Sequence, residues 1–174
     1  MMSRRPRVGV YISIAVSCLA VLWMERRWIQ QCGSTDIARN ASCGREGSIL
    51  NDVSRRCQQV LDHESVRDTI WVRNIKARWD GSIHQLVDHH GAAPAVTTEK
   101  SDIRLCLDTV SSRDAQVFVC LHELSHVAVD SYGHTPEFWR CFKALIDAAV
   151  ALGVYRHAPD AEVCGTRIGP QPGM

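Results

Sequence analysis

A mixed α+β chain with a small sheet, preceded by a membrane-spanning helix, is expected from three observations. The run from Val8 to Met24 carries no charged residue. Two later stretches, about 114–130 and 136–150, repeat apolar residues at helical spacings of three and four. Between them and the N-terminus, residues 95–98 and 102–108 have the character of short strands, the second alternating apolar and polar side chains. A length of 174 residues suits one core with an appendage rather than two full domains. With 45% hydrophobic and 22% charged residues, the composition excludes collagenous, low-complexity and globally disordered chains. A net charge of +1 counts against a nucleic-acid partner.

The N-terminal segment sets the expected compartment. Arg4, Arg5 and Arg7 form a basic start over residues 1–7, and Arg26 and Arg27 follow the apolar run. Residues 8–24, at 1.5 Å rise each, would span roughly 25 Å, close to a hydrocarbon core of about 30 Å. Tyr11, Trp23 and Trp28 sit near its ends, where interfacial aromatics gather. An uncleaved signal-anchor is therefore expected, with a cleaved signal peptide as its competitor; Cys18-Leu19-Ala20 is a poor cleavage site. The leading arginines favour a cytosolic N-terminus, which puts the remaining chain on a lumenal, exterior or virion side. That describes a single-pass membrane protein bound to the membrane through residues 8–24.

Residues 25–47 are polar, lack either period and read as a linker; residues 48–168 then form the domain and 169–174 a tail. Ser48 is the expected cap of a helix running to about His63, with Leu50, Val53, Cys57 and Val60 on one face. Residues 69–79 mix β-branched and aromatic side chains and leave helix and strand open, ending at the Asp80-Gly81 turn signal. Ala95–Thr98 and Asp102–Asp108 would pair as a hairpin across Glu99-Lys100-Ser101, with Ile103, Leu105 and Leu107 inward. A helix from about Asp114 to Asp130 would stop at Gly133, and Thr135-Pro136 would open the next. The end of the chain, from Ala158, reads as irregular. Of eight cysteines, Cys106, Cys120 and Cys141 fall in apolar patterns and read as buried thiols, while Cys32 and Cys43 could bridge.

Chemistry concentrates in His122-Glu123-Leu124-Ser125-His126. Residues four apart share a helix face, so two imidazoles can converge on one ion. Glu123 can reach a metal-activated water without ligating, and would take its proton as that water attacks a carbonyl. A catalytic zinc site needs a third ligand and an open position. His134, between a helix stop and a helix start, is the candidate third ligand, with Glu137 in reserve if it points away. Tyr132 and Tyr155 are weaker candidates for polarising the substrate carbonyl or oxyanion, with packing or a surface position as the competing role. His84, His89 and His90 read as a polar loop cluster rather than a second metal site.

The stretch from His122 to His126, followed by Tyr132-Gly133-His134-Thr135-Pro136-Glu137-Phe138-Trp139, resembles the WLM and SprT-like group of small zincin metallopeptidases. It is similar in particular to the compact members encoded by large DNA viruses. Trp79-Asp80-Gly81, Thr98-Glu99-Lys100, Ile103–Leu107, Gly153-Val154-Tyr155 and Cys164-Gly165 extend the likeness over roughly 48–168. The resemblance implies a zincin-like, minimal gluzincin-type domain with Zn²⁺ on His122, His126 and His134 and Glu123 as general base. It also implies a protein or peptide substrate, added as an extended strand beside the Ile103–Leu107 segment. The reading of another class is a catalytically silent zinc-binding structural or interaction module at a membrane or virion. Relatives of the group that act on DNA-attached proteins supply a further alternative, which the near-neutral charge and expected anchor oppose.

Overall fold

Leu50, Val53, Cys57, Val60 and Leu61 fall on one helical face, and all five are buried. They belong to helix α1, Ile37–Leu61. The computed structural model describes residues 37–86, 93–107, 111–157 and 161–168, with side chains from Gly47 onward. By its internal contacts the chain divides into Met1–Arg45 and Glu46–Met174, and the described side chains all lie in the second unit. The expected linker 25–47 is helical from Ile37, so α1 starts well before Ser48. A polar run without an apolar period reads as linker, yet Ala38, Arg39, Ala41 and Arg45 are all good helix formers. The basic segment 1–7, the expected membrane segment 8–24 and the tail 169–174 lie outside the described residues. Among the described residues, no helix is long and apolar enough to cross a membrane.

The segment that left helix and strand open is helix α2, Ile70–Arg78. Val72, Ile75 and Trp79 are buried at spacings of three and four, and the Thr69 hydroxyl caps the start by accepting from Val72 N. Trp79 Nε1 then donates to Ser82 O at 2.6 Å, closing the turn into the sheet. Strands β1 (His84–Gln85), β2 (Ala95–Thr98) and β3 (Asp102–Leu105) form that sheet in the order β1-β3-β2. β1 runs parallel to β3, and β2 antiparallel to it with Thr98 opposite Asp102 and Thr97 opposite Ile103. Ile103 and Leu105 are fully buried, as the alternation requires. β3, however, is the central strand, paired on both sides. Among the described residues, a strand paired on both sides leaves no edge for an extended substrate, and the sheet edge next to it in the chain is that of β2.

Helix α3, Arg113–Ala128, is buried nearly all round and packs against α2, β2, β3, β4 and the last helix. Ser112 caps it by accepting from Ala115 N at 3.1 Å. It ends at Ala128, not Gly133, with Val129 already extended. Helix α4, Pro136–Ala151, starts as expected with Thr135 as cap and proline at its first position. Phe118 on α3 packs edge-on to Phe142 on α4, 5.1 Å between centroids.

The irregular tail expected from Ala158 is instead a hairpin of β4 (Ala161–Val163) and β5 (Thr166–Ile168). Its two-residue turn, Cys164-Gly165, has φ of 48° and 78°, the left-handed region such hairpins need. Cys106 is not a free thiol: it forms a disulfide with Cys164, 58 residues away. Cys57, Cys120 and Cys141 are free and buried. The expected Cys32–Cys43 bridge lies outside the described side chains.

Candidate metal centre

One turn of α3 separates His122 from His126 and sets their ring centroids 5.1 Å apart on the same face. Beyond Ala128 the chain must reverse to bring a third group back. Gly133, at φ 77°, sits in the left-handed region where a side chain would be strained. The next residue, His134, places its Nε2 3.0 Å from Nε2 of His122. One nitrogen from each of His122, His126 and His134 lies within 4.8 Å of the others, an arrangement that could hold a metal ion. Phe138, fully buried on the first turn of α4, contacts all three rings at centroid distances of 4.9, 4.4 and 4.7 Å. Trp139 flanks His134 at 5.2 Å.

Burial pushes the His122 imidazole down to about 3, helped by the neighbouring His126 and His134 rings. His126 is pushed down to about 4, by burial first, then by His134 and the Lys100 ammonium. Both imidazoles are therefore neutral at pH 7 and keep a lone pair for a metal. With His134 they form a three-imidazole donor set that suits zinc and its neighbours among the transition metals. The residues fit such an ion.

Glu123 is 7% exposed, and burial raises its carboxyl above the usual range. The Thr97 hydroxyl opposes that shift by donating to Glu123 Oε2 at 2.6 Å. Thr97 is a site feature absent from the sequence-based expectation. Thr97 had a signal: on β2 it shares a face with buried Ala95, so it is a polar residue on the inward side of a strand. Tyr132 is 88% exposed, its ring 4.9 Å from Lys100 Nζ. Tyr155 is buried, with its ring 5.9 Å from Phe118 in the core. Glu137 is exposed and outside the group of three histidines. His84 stands on β1, 3.9 Å from Asp102, while His89 and His90 lie outside the described residues.

No family model matches the chain, and no solved structure matches it. Viral proteins do. An uncharacterised protein of Invertebrate iridescent virus 6 is 42% identical over 66 residues, covering 34% of this chain and 37% of that one. An uncharacterised protein of Acanthamoeba polyphaga mimivirus is 34% identical over 85 residues, 43% of each chain. A third, from Invertebrate iridescent virus 3, is 39% identical over 64 residues, 34% of this chain and 40% of the relative. The chain spans less than half the length of these curated relatives. They support a viral setting.

Proposed function

We propose that residues 48–168 are a zinc metallopeptidase domain of zincin type, tethered to a membrane through residues 8–24. The observation that carries this reading is the convergence of three imidazoles beside one buried carboxylate. A structural zinc site needs ligands but has no use for a buried glutamate next to them, which weighs against the catalytically silent module.

His122, His126 and His134 would hold the ion, which when bound supplies Lewis-acid polarisation of a carbonyl and a more acidic water. Glu123 accepts a proton from the attacking water, whose oxygen joins the carbonyl carbon. The same carboxyl then returns the proton to the amine nitrogen as the C–N bond breaks. Its raised proton affinity suits both halves of that task, and Thr97 keeps the carboxylate aimed. An extended peptide would add along the edge of β2, which has no further strand among the described residues and whose Thr97 hydroxyl donates to Glu123.

Metal analysis of the full chain beside His126→Ala and His134→Ala tests the ligand set. Near-stoichiometric zinc should fall in both variants. Glu123→Gln should keep its zinc and lose peptide hydrolysis at least about a hundredfold, the general-base contribution. Zinc indifferent to both histidines sinks the site, and hydrolysis persisting in Glu123→Gln sinks the mechanism.

A further inference from the structure

Helix α3 ends without the glycine that commonly closes a helix, and its last carbonyls have no partner within the helix. Side chains from two other elements take them. Asn74 Nδ2 on α2 donates to Ala128 O at 2.9 Å, and Arg78 Nη1 to Val127 O at 2.8 Å. Lys100 Nζ donates to His126 O at 3.0 Å and to Val129 O at 2.6 Å. A third bond from the same ammonium, 2.7 Å to Ser131 O, enters the loop that carries His134. All three donors of the ammonium are used on one stretch of backbone. Two cations at this helix end also suit the negative pole of its dipole.

The turn that delivers Lys100 is costly. Glu99 and Lys100 sit at φ 51° and 55°, a conformation that hairpins normally assign to Asn-Gly. An Asn-Gly turn would relieve the strain but carry no ammonium. Strain at the turn and triple bonding at the ammonium concern the same residue, and the bonds fall on the backbone from His126 to Ser131, ahead of His134.

We propose that Lys100 is the positioning residue of the metal centre, holding the end of α3 and the loop 129–134 in the arrangement that seats His134 beside His122. The geometry of the clamp stands on the structure; its effect on metal rests on the zinc reading above. Asn74 and Arg78 hold the neighbouring carbonyls, and Arg78 Nη2 also pairs with the exposed Asp130 carboxylate at 2.5 Å, whereas Lys100 bonds the loop's backbone itself at Ser131 O. Ser131 Oγ lies 3.1 Å from Thr135 Oγ1, so the loop is pinned again where α4 begins. Lys100 thus holds the backbone on one side of the His134 loop, beside the Arg78–Asp130 ion pair, and the α4 cap holds the other.

The test compares the full chain with Lys100→Met, Lys100→Arg, and the double variant Glu99→Asn with Lys100→Gly. The double variant eases the turn while removing the ammonium, so it keeps the question open should Lys100→Met fail to fold. Amide hydrogen exchange over residues 129–135 is read in metal-free protein, and zinc affinity by competition with a chromophoric chelator. Lys100→Met and the double variant should exchange about tenfold faster across the loop while residues 115–122 stay protected. Their zinc affinity should fall by about 10- to 100-fold, the usual effect of losing an outer partner of a metal site, and Lys100→Arg should recover part of it. Unchanged loop exchange overturns the proposal, and so does faster exchange with undiminished zinc affinity. If the wild-type chain itself takes up no zinc, the metallopeptidase reading falls, and loop exchange alone upholds or overturns the clamp.

Discussion

At the scale of single residues, the candidate site depends on groups whose charge the protein suppresses. His122, at about 3 in the folded chain against an ordinary 6.5, stays neutral while the unfolded chain takes up a proton. Its contribution is complete above pH 6.5 and is lost as pH falls towards 3, at up to about 1.4 kcal/mol per pH unit. His126 acts in the same sense down to about 4. Urea midpoints of the metal-free protein should therefore drop between pH 7 and pH 5; a flat profile would contradict the burial of these rings. Thr97 invites a sharper test. Thr97→Val leaves the buried Glu123 carboxyl without its donor and should cost about 1.5–3 kcal/mol, whereas Thr97→Ser should recover most of it. The histidines and Glu123 were legible because all their spacing constraints lie within thirteen residues. For Thr97 the strand alternation marks only an inward polar side chain; its partner is 26 residues away, and no period connects a strand residue to a helix residue.

At the scale of elements, the caps and alternations were legible and the ends of α3 and of the chain were not. Thr135-Pro136 starts α4 because the hydroxyl satisfies Phe138 N at 3.3 Å, a contact between near neighbours. The stop of α3 is settled elsewhere, by α2 and the β2–β3 turn, so Gly133 was a misleading signal. The β4–β5 hairpin likewise depends on a distant tie, the Cys106–Cys164 disulfide. Cys106→Ser should destabilise the domain by about 4 kcal/mol on the loop-entropy account for 58 residues, read as a lowered denaturation midpoint. Equal midpoints for variant and wild type, both under oxidising conditions, would show that the hairpin is held by Val163 and Ile168 packing alone.

For the whole molecule, α3 is the organising element, since both helical neighbours and both sheets meet it. Its His122 and His126 are only partly exposed on that core, so an ion held there would be linked to folding. Zinc held at a hundred times its dissociation constant should add about 2.7 kcal/mol to stability, and a strong chelator should remove it. Thermal scans with and without chelator, repeated on His134→Ala, check this: the wild-type shift should vanish in the variant. A shift that persists without His134 would move the ion elsewhere.

Features carried by near neighbours could be read directly: the His122–His126 pair, the Thr135 cap, the buried alternation of Ile103 and Leu105, the apolar stripe of α4. Each rests on a period or a cap that spans four residues or fewer. Other features join residues far apart along the chain. Whether 70–78 is helix or strand, which strand is central, what Cys106 pairs with and what closes α3 all depend on surfaces meeting in space. Lys100 is the plainest instance. Its sequence neighbourhood marks only a hairpin turn and a stretch of the family likeness, yet its ammonium binds backbone 26 to 31 residues away, because a helix end buried in a core must find its donors wherever the fold brings them.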